Sequence, residues 1–370
     1  MIVPESAAAR PRKELAILRT DDRADSGLSR LGLGLYALGG GYGEVDEAQA
    51  ARTLDAALEH GWRFLDTAEA YGESEVLLGR LLRGRRDRAF VATKAFPCEP
   101  FTASNLRAAL EGSLHRLRMD YVDLFQLHGP EGWLLDQCTP VEEVAAALEG
   151  LRLSGRTRHV GVCNFTVAQL AELNAHTPIY SIQNLYGMLD RTSGSDLFQL
   201  GVEEEILPFA ASAGIGFIAY SPLGRGLLAE GLDPHREFPT SDERHFLPRY
   251  QRGVYQDYVA LAGALADWSH AHGRTLPELA VAWALRNTGV TSVLVGAKTV
   301  AQVDAVAGAE SWQLETAELA EIEAMLETLP ARARSAQATV FDHIPPERMT
   351  DLRVRRYDES LAAPIRYVGS

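Results

Sequence analysis

Four side chains with complementary acid–base chemistry follow three successive strand-like segments of this sequence. Asp66 and Tyr71 come after the apolar run that begins at Trp62, Lys94 follows the next such run, and His128 follows the one after that. If the strands are parallel, their carboxyl ends meet at one face, so these side chains would lie together. Singly, each has an ordinary explanation, such as a loop-capping carboxylate or a tyrosine at the rim of the core. Their combination at three strand ends indicates a catalytic site.

A carbonyl reduction would use all four groups. The hydride must come from a nicotinamide cofactor, because no protein side chain supplies one. The new alkoxide needs a proton, which Tyr71 could donate. An unperturbed phenol has a pKa of ~10, and the ammonium of Lys94 would bring that pKa closer to neutral. Asp66 would hold Lys94 in place, and His128 would donate a hydrogen bond to the carbonyl oxygen.

Short apolar segments alternate with amphipathic helical segments between about residues 30 and 310. Eight such units predict a parallel sheet, and they fit a closed TIM (β/α)8 barrel better than an open sheet. We expect an N-terminal arm over residues 1–28, the barrel over 29–330 with an extra C-terminal helix, and an irregular tail over 331–370. The predicted strands cover residues 31–38, 62–65, 88–93, 121–127, 157–162, 179–182, 215–219 and 290–295. A helix is predicted over 198–213, and a long polar insertion over 224–253.

A loose dinucleotide-binding fingerprint, G-x-G-x-x-A, begins at Gly32 and Gly34. A Rossmann dehydrogenase would need a strand just before the first glycine and a helix opening at the end of the fingerprint. Here the preceding residues are polar, and the next helical pattern begins only near Asp46. The segment is therefore better explained as the first core strand.

The composition excludes several classes of protein. A formal net charge of -14 argues against nucleic acid as the main partner, and no apolar run is long enough to cross a membrane. The cysteines Cys98, Cys138 and Cys163 lie far apart, so neither a disulfide framework nor a metal site is predicted. With no signal peptide evident, we expect a cytoplasmic protein. The oligomeric state is left open.

Several motifs, taken in their order along the chain, resemble those of the aldo-keto reductases. The resemblance covers about residues 28–330 and lies in Leu65-Asp66-Thr67-Ala68 with Tyr71-Gly72-Glu73-Ser74-Glu75, Thr93-Lys94, Gln126-Leu127-His128, Gly161-Val162-Cys163-Asn164-Phe165, Gln183, Tyr220-Ser221-Pro222-Leu223-Gly224 and Val295-Gly296-Ala297-Lys298-Thr299. It implies a TIM barrel that uses NADP(H) to reduce an aldehyde or ketone to an alcohol. It also assigns Asp66, Tyr71, Lys94 and His128 as the catalytic tetrad.

The resemblance also implies a cofactor pocket. Asn164, Gln183 and the residue at Cys163 would bind the nicotinamide carboxamide, although the family usually has serine where this chain has a weaker thiol. Tyr220 would stack on the nicotinamide ring. The remaining contacts fall into two groups: backbone groups of Ser221, Leu223 and Gly224 at the pyrophosphate, and Gly296, Lys298, Thr299 and Gln302 at the adenosine end.

The cofactor preference and the substrate are less closely defined. Lys298 suggests a modest preference for NADP(H), with NAD(H) as the alternative, because Gln302 stands where many NADP-preferring members have arginine. Where the family often has Glu-Asn for adenine, this chain has Ala305-Val306. The substrate would be a small carbonyl compound in an apolar, partly aromatic pocket lined by Tyr36, Tyr42, Phe96 and Trp133.

A second class of function is also consistent with the resemblance. Some barrels of this family serve as channel-associated regulatory subunits, which bind the cofactor and retain much of the tetrad. The complete tetrad favours an enzyme.

Overall fold

Eight parallel strands close into a barrel in this computed structural model, which describes residues 28–191, 193–194 and 199–336. The barrel strands are β1 (Leu31–Gly34), β2 (Phe64–Asp66), β3 (Phe90–Ala95), β4 (Val122–Leu127), β5 (Thr157–Cys163), β6 (Ser181–Leu185), β9 (Gly216–Tyr220) and β10 (Val290–Gly296). Between β6 and β9, Ser193–Gly194 (β7) and Gln199–Leu200 (β8) form a small antiparallel pair. Pairing of β1 with β10, with Leu31 opposite Val293, closes the circle. The predicted TIM barrel is confirmed.

Helices connect the strands and cover the outside of the barrel. They are α1 (Glu47–Glu59), α2 (Ser74–Leu81), α3 (Ala103–Leu117), α4 (Val141–Leu153), α5 (Val167–His176), α6 (Leu207–Ala213), α7 (Val254–Ala271), α8 (Leu276–Leu285), α9 (Val300–Asp304), α10 (Thr316–Glu327) and α11 (Ala331–Arg334). Their first turns carry local start signals. Thr166 caps α5 and Thr275 caps α8, each in a capping box that satisfies otherwise unpaired backbone N–H groups.

Two predicted elements differ from the structure. The first strand ends at Gly34 rather than near residue 38, because Ala37–Gly39 forms a 3-10 turn. The predicted helix over 198–213 is in fact β8, a π-helical turn at Val202–Ile206, and the short α6. Apolar periodicity alone did not reveal this change of local structure.

The C-terminal region begins with packed structure rather than an irregular tail. In α11, Ala333 is fully buried, and its carbonyl accepts a hydrogen bond from the Tyr258 hydroxyl on α7 at 3.0 Å. The predicted arm lies outside the described residues except for Leu28, and so does the predicted tail beyond residue 336. Within the described part of the chain, no helix is long and apolar enough to cross a membrane.

The inside of the barrel has an apolar layer below a polar one. Phe64, Ala92 and Leu124 belong to a buried apolar cluster inside the barrel. Two residues later on the same strands come Asp66, Lys94 and Gln126, all buried. Side chains two residues apart on a strand point to the same side, so the polar layer lies directly above the apolar one, toward the carboxyl ends of the strands.

Candidate active site

Lys94 is the centre of the polar layer. Its fully buried ammonium donates to Asp66 Oδ1 at 2.5 Å, to the carbonyl of Thr67 at 2.9 Å and to the hydroxyl of Tyr71 at 3.3 Å. The Nζ atom also lies 4.7 Å from the centroid of the Tyr71 ring. A buried ammonium is costly unless it is paired and hydrogen-bonded, and these contacts satisfy that requirement. Three of the four predicted catalytic side chains therefore touch one another.

The other oxygen of Asp66 receives two side-chain amides. Gln126 Nε2 donates to Asp66 Oδ2 at 3.3 Å, and Gln183 Nε2 donates to the same oxygen at 2.9 Å. With Lys94, three donors surround the carboxylate, which compensates for its removal from water. The sequence prediction assigned no role to Gln126 and gave Gln183 only to the nicotinamide. The sequence feature that could have identified Gln126 as a site residue is its polar side chain in an otherwise apolar strand, two residues before His128.

Tyr71 is positioned by close approach of two loops. Gly72 has a φ of 53° in the left-handed region, and a β-carbon there would clash with the carbonyl of Gly39. In turn, a β-carbon at Gly39 would clash with the carbonyl of Tyr71. Both loops therefore need glycine at the contact, because any larger residue would push Tyr71 away from its place.

The pKa of Tyr71 shifts in the opposite direction to the decrease that the nearby Lys94 ammonium was expected to cause. Burial raises the pKa of this phenol well above its usual value, and the nearby charge of Asp66 raises the pKa further. The ammonium contact does not reverse this direction, because loss of hydration penalises the phenolate more strongly. Tyr71 is therefore protonated at neutral pH, which is the form that a proton donor requires.

His128 lies between two aromatic rings at the mouth of the barrel. Its ring meets that of Tyr71 at a centroid distance of 5.5 Å and that of Phe96 at 5.6 Å, both edge to face. Burial and the charge of Lys94 lower the pKa of His128 well below its usual value. Its Nδ1 is buried and has no hydrogen-bond partner among the described residues. The imidazole is thus neutral at pH 7, and such a ring carries one N–H that can donate to a carbonyl oxygen.

The residues predicted at the nicotinamide form one hydrogen-bonded group. Tyr220 donates through its hydroxyl to Asn164 Oδ1 at 2.9 Å, and Asn164 Nδ2 lies 3.1 Å from Cys163 Sγ. Cys163 Sγ in turn lies 3.8 Å from Gln183 Oε1. Burial raises the pKa of the Cys163 thiol, so it acts as a neutral, weak hydrogen-bonding group rather than a reactive thiolate.

The predicted pyrophosphate loop makes a tight, glycine-dependent turn. Ser221 and Gly224 have φ values of 57° and 54°, and Gly224 N donates to the Ser221 carbonyl at 2.9 Å. A β-carbon at Gly224 would lie 2.9 Å from a methyl group of Leu189. Leu223 precedes this glycine and is half-buried against the core. A loop of this kind can bring backbone N–H groups close to an anionic ligand.

The residues predicted at the adenosine end also lie together. The half-buried Lys298 donates through Nζ to the carbonyls of Tyr42 at 3.1 Å, Gly43 at 3.4 Å and Glu44 at 2.8 Å. Gln302 Oε1 accepts a hydrogen bond from Lys298 N, and Thr299 caps α9. Gly296 is the exposed last residue of β10. The Lys298 ammonium is thus already engaged with the loop after β1.

The predicted substrate-lining residues form two groups beside the tetrad. Tyr36 lies edge to face with Tyr42 at 5.3 Å and with Tyr71 at 4.9 Å between ring centroids. On the other side, Phe96 packs against His128, and the Trp133 ring lies close against Gly129, the residue after His128. No group of three or more histidine, cysteine or acidic residues in the described part of the chain could hold a metal ion.

Comparisons with known proteins agree with this geometry. A sequence profile of the Aldo/keto reductase family matches residues 30–327. The chain is 32% identical to aldo-keto reductase YhdN of Bacillus subtilis over 341 residues, covering 88% of this chain and 96% of that protein. It is 31% identical to L-galactose dehydrogenase of Arabidopsis thaliana over 317 residues, covering 81% and 91%.

Solved structures show the same fold. The glycerol dehydrogenase AKR11B4 from Gluconobacter oxydans superimposes with a TM-score of 0.70 at 30% identity, covering 82% of this chain and 92% of that one. An aldo-keto reductase from Klebsiella pneumoniae in complex with NADPH superimposes with a TM-score of 0.63 at 26% identity, covering 83% and 93%.

Proposed function

Because the chain belongs to the aldo-keto reductase family, we propose that it is an NADP(H)-dependent oxidoreductase that reduces an aldehyde or ketone to an alcohol, with Tyr71 as proton donor. The observation that carries this proposal is the contact of Lys94 with both Asp66 and Tyr71. NADPH is the preferred cofactor, in keeping with the relative that is solved with it.

The polar groups around the barrel mouth suit a nicotinamide cofactor, which supplies the hydride when bound. Cys163, Asn164, Gln183 and Tyr220 would hold the nicotinamide end, since they offer both donors and acceptors in one group, three of whose members are buried. The turn at Ser221, Leu223 and Gly224 suits the pyrophosphate because its backbone has no side chain in the way at Gly224.

In this mechanism, His128 and Tyr71 both act on the carbonyl oxygen of the substrate. Each is neutral at pH 7, so each can donate one hydrogen bond and make the carbonyl carbon more electrophilic. As negative charge develops on the oxygen, Tyr71 transfers its proton. Lys94, 3.3 Å from the tyrosine hydroxyl, stabilises the phenolate that is left, and Asp66 keeps Lys94 in position.

Removal of the Tyr71 hydroxyl tests this assignment directly. Tyr71→Phe keeps the ring and its packing but deletes the proton, and we expect a rate loss of about 10²–10⁴-fold. Cofactor binding should change little, because the hydroxyl is not among the groups assigned to the cofactor. The measurement is NADPH oxidation with a good aldehyde substrate, together with a fluorescence titration of NADPH binding.

Tyr121→Phe is the matched control. This tyrosine lies just before β4, and its hydroxyl accepts a hydrogen bond from Arg158 at 2.9 Å, away from the tetrad. We expect it to retain wild-type turnover. A Tyr71→Phe variant as active as the control would refute the proton-donor role. A protein that binds NADPH yet turns over no carbonyl compound would instead support the cofactor-binding regulatory barrel.

A further inference from the structure

Gln126 is a buried polar residue that the catalytic scheme does not use. It lies on β4, in register with Lys94 on β3, and its side chain is fully buried. Its neighbour in register on the other side is Gly161 of β5, which has no side chain. Residues in register on neighbouring strands point to the same side of a sheet, so Gln126 and Lys94 share the inside of the barrel. The amide therefore lies beside the ammonium that contacts Tyr71.

The two ends of the Gln126 amide differ in their contacts. Its Nε2 donates to Oδ2 of Asp66 at 3.3 Å, whereas its Oε1 is buried and has no hydrogen-bond partner among the described residues. A buried acceptor without a partner destabilises a fold, and an apolar side chain at this position would avoid that loss. Stability alone therefore gives no reason for a glutamine here, which points to a role in the chemistry of the site.

Asp66 is the residue through which Gln126 can act. Oδ1 of the carboxylate accepts from Lys94, and Oδ2 accepts from Gln126 and from Gln183. Gln183 is also assigned to the nicotinamide, whereas Asp66 is the hydrogen-bond partner of Gln126 in the described part of the chain. Hydrogen bonds in a buried network polarise one another, so a donor at Oδ2 draws negative charge away from Oδ1.

The charge of Asp66 affects how easily Tyr71 gives up its proton. That charge raises the pKa of the phenol, in addition to the larger effect of burial. A group that draws the charge away opposes this increase and makes the phenolate easier to form. The phenolate is what remains after Tyr71 has protonated a carbonyl oxygen, so its stability affects the rate of that step.

We propose that Gln126 is a positioning residue that acts through Asp66: its amide draws charge toward Oδ2 and so favours loss of the Tyr71 proton in the transition state. This inference rests on the proposed function, because it needs Tyr71 to be the proton donor. In the reverse reaction, the Tyr71 phenolate takes the hydroxyl proton of the alcohol while the hydride leaves for NADP⁺, and a carbonyl compound is formed. The same amide favours that phenolate, so its removal slows both directions.

The test removes the donor and keeps a side chain of similar size. Gln126→Leu and Gln126→Met both delete the amide and differ from each other only in shape. We expect kcat for carbonyl reduction to fall roughly 3- to 10-fold in both variants, as for one lost hydrogen bond. The KM for the carbonyl substrate and the dissociation constant of NADPH should stay at their wild-type values, because Gln126 is assigned to neither ligand.

The pH profile of alcohol oxidation is a readout that a packing defect would not move. Oxidation requires the Tyr71 phenolate, so its rate rises with pH. Without the amide the phenolate forms at higher pH, and we expect the rising part of the profile to move up by about 0.5–1 pH unit in both variants. The urea midpoint should stay at or above that of wild type, because neither leucine nor methionine leaves a buried amide oxygen unpaired.

Ser269→Ala is the control. It also deletes a fully buried polar group, whose hydroxyl donates to the Leu265 carbonyl at 2.8 Å within α7, outside the barrel sheet. We expect this variant to retain the wild-type kcat and the wild-type pH profile, even if its urea midpoint falls.

Several outcomes would overturn the proposal. A wild-type kcat with an unmoved profile would show that Gln126 takes no part in proton transfer. Weaker NADPH binding with an unmoved profile would make it a cofactor contact. Unequal profiles in the leucine and methionine variants would indicate packing rather than the lost donor. Circular dichroism checks folding, and failure of both variants to fold would make Gln126 a structural residue.

The same measurements separate this inference from the proposed function. A wild-type protein that reduces no carbonyl compound would refute the proposed function and the inference with it. An active wild type whose profile is the same in both Gln126 variants would reject the inference alone, and Tyr71→Phe would still test the proton donor.

Discussion

Tyr71 and His128 are both held neutral by the same physical cause at the scale of single residues. Burial raises the pKa of Tyr71 and lowers that of His128, because each charged form would lose hydration in the closed site. Lys94 contributes to the second shift. At neutral pH one O–H and one N–H are therefore available to a carbonyl oxygen, which suits reduction.

The shift at His128 has a consequence for stability against acid. The unfolded histidine takes up a proton near pH ~6.5, whereas the folded one resists it, so stability falls as the pH decreases below that value, by at most about 1.4 kcal/mol per pH unit. His128→Gln should lack this part of the pH dependence. The measurement is the free energy of unfolding in urea at pH 7.5 and 5.5 for both proteins.

The difference between wild type and His128→Gln is the informative quantity. Other histidines with lowered pKa, such as the partly buried His159, contribute equally to both proteins and cancel. We expect wild type to lose more stability than the variant between the two pH values. Equal losses would mean that folded His128 is protonated normally, contrary to the direction given above.

Lys298 is the residue that we propose to set the cofactor preference. Its ammonium donates to three backbone carbonyls of the loop after β1, and burial lowers its pKa. We expect Lys298→Ala to weaken NADPH by roughly 1.5–3 kcal/mol while hardly changing NADH, since only NADPH has the 2′-phosphate. The dissociation constants of both cofactors provide the measurement.

Lys298→Arg serves as the control because it keeps the charge. If Lys298→Ala weakened the binding of both cofactors equally, the lysine would act by holding the loop at Tyr42 in place rather than by binding the 2′-phosphate. A wild-type preference for NADH would contradict the assignment altogether.

At the scale of the elements, a buried ion pair holds α2 and α3 against β3. Glu75 on α2 accepts from Arg116 on α3 at 2.6 Å and from Thr93 on β3 at 2.5 Å. Thr93 directly precedes Lys94, and Glu75 lies in the first turn of the helix that follows the Tyr71 loop. The pair therefore fixes the distance between the two parts of the chain that carry Tyr71 and Lys94.

Removing one partner of this pair should destabilise the protein strongly. Arg116→Met leaves the Glu75 carboxylate buried without its cation, and we expect a loss of about 3–5 kcal/mol in the free energy of unfolding. The double variant Glu75→Met with Arg116→Met should recover most of that loss, because two apolar side chains need no pairing. Urea unfolding of the three proteins measures both effects, and a small loss in the single variant would argue against a buried charge pair.

At the scale of the whole molecule, barrel closure joins segments that are distant in sequence. Pairing of β1 with β10 brings Lys298 to the loop after β1, and the same loop meets the 224–253 insertion where Glu243 N donates to the Gly41 carbonyl at 3.3 Å. The cleft assigned to the cofactor is thus bounded by the first strand, the last strand and the insertion.

The sequence by itself determined the fold class and the positions of the four candidate catalytic residues at strand ends. Short apolar runs alternating with amphipathic helices are a local pattern, and parallel strands bring their carboxyl ends to one face whatever their exact packing. Asp66, Tyr71 and Lys94 could therefore be placed together from their positions at strand ends. The first and last residues of some elements could not be predicted from the sequence, as the predicted helix over 198–213 shows. Turns and short strands depend on contacts with residues elsewhere in the chain.

Only the tertiary structure decided how these groups interact across the barrel. Convergence of Gln126 and Gln183 on one oxygen of Asp66 depends on which side chains face each other inside the closed sheet. The direction of the Tyr71 pKa shift depends on the extent of burial, which outweighs the ammonium beside it. The contact of Glu243 with Tyr36 joins residues 207 positions apart in the sequence. Strand order and barrel closure create such contacts, so they cannot be inferred from a local pattern of residue types.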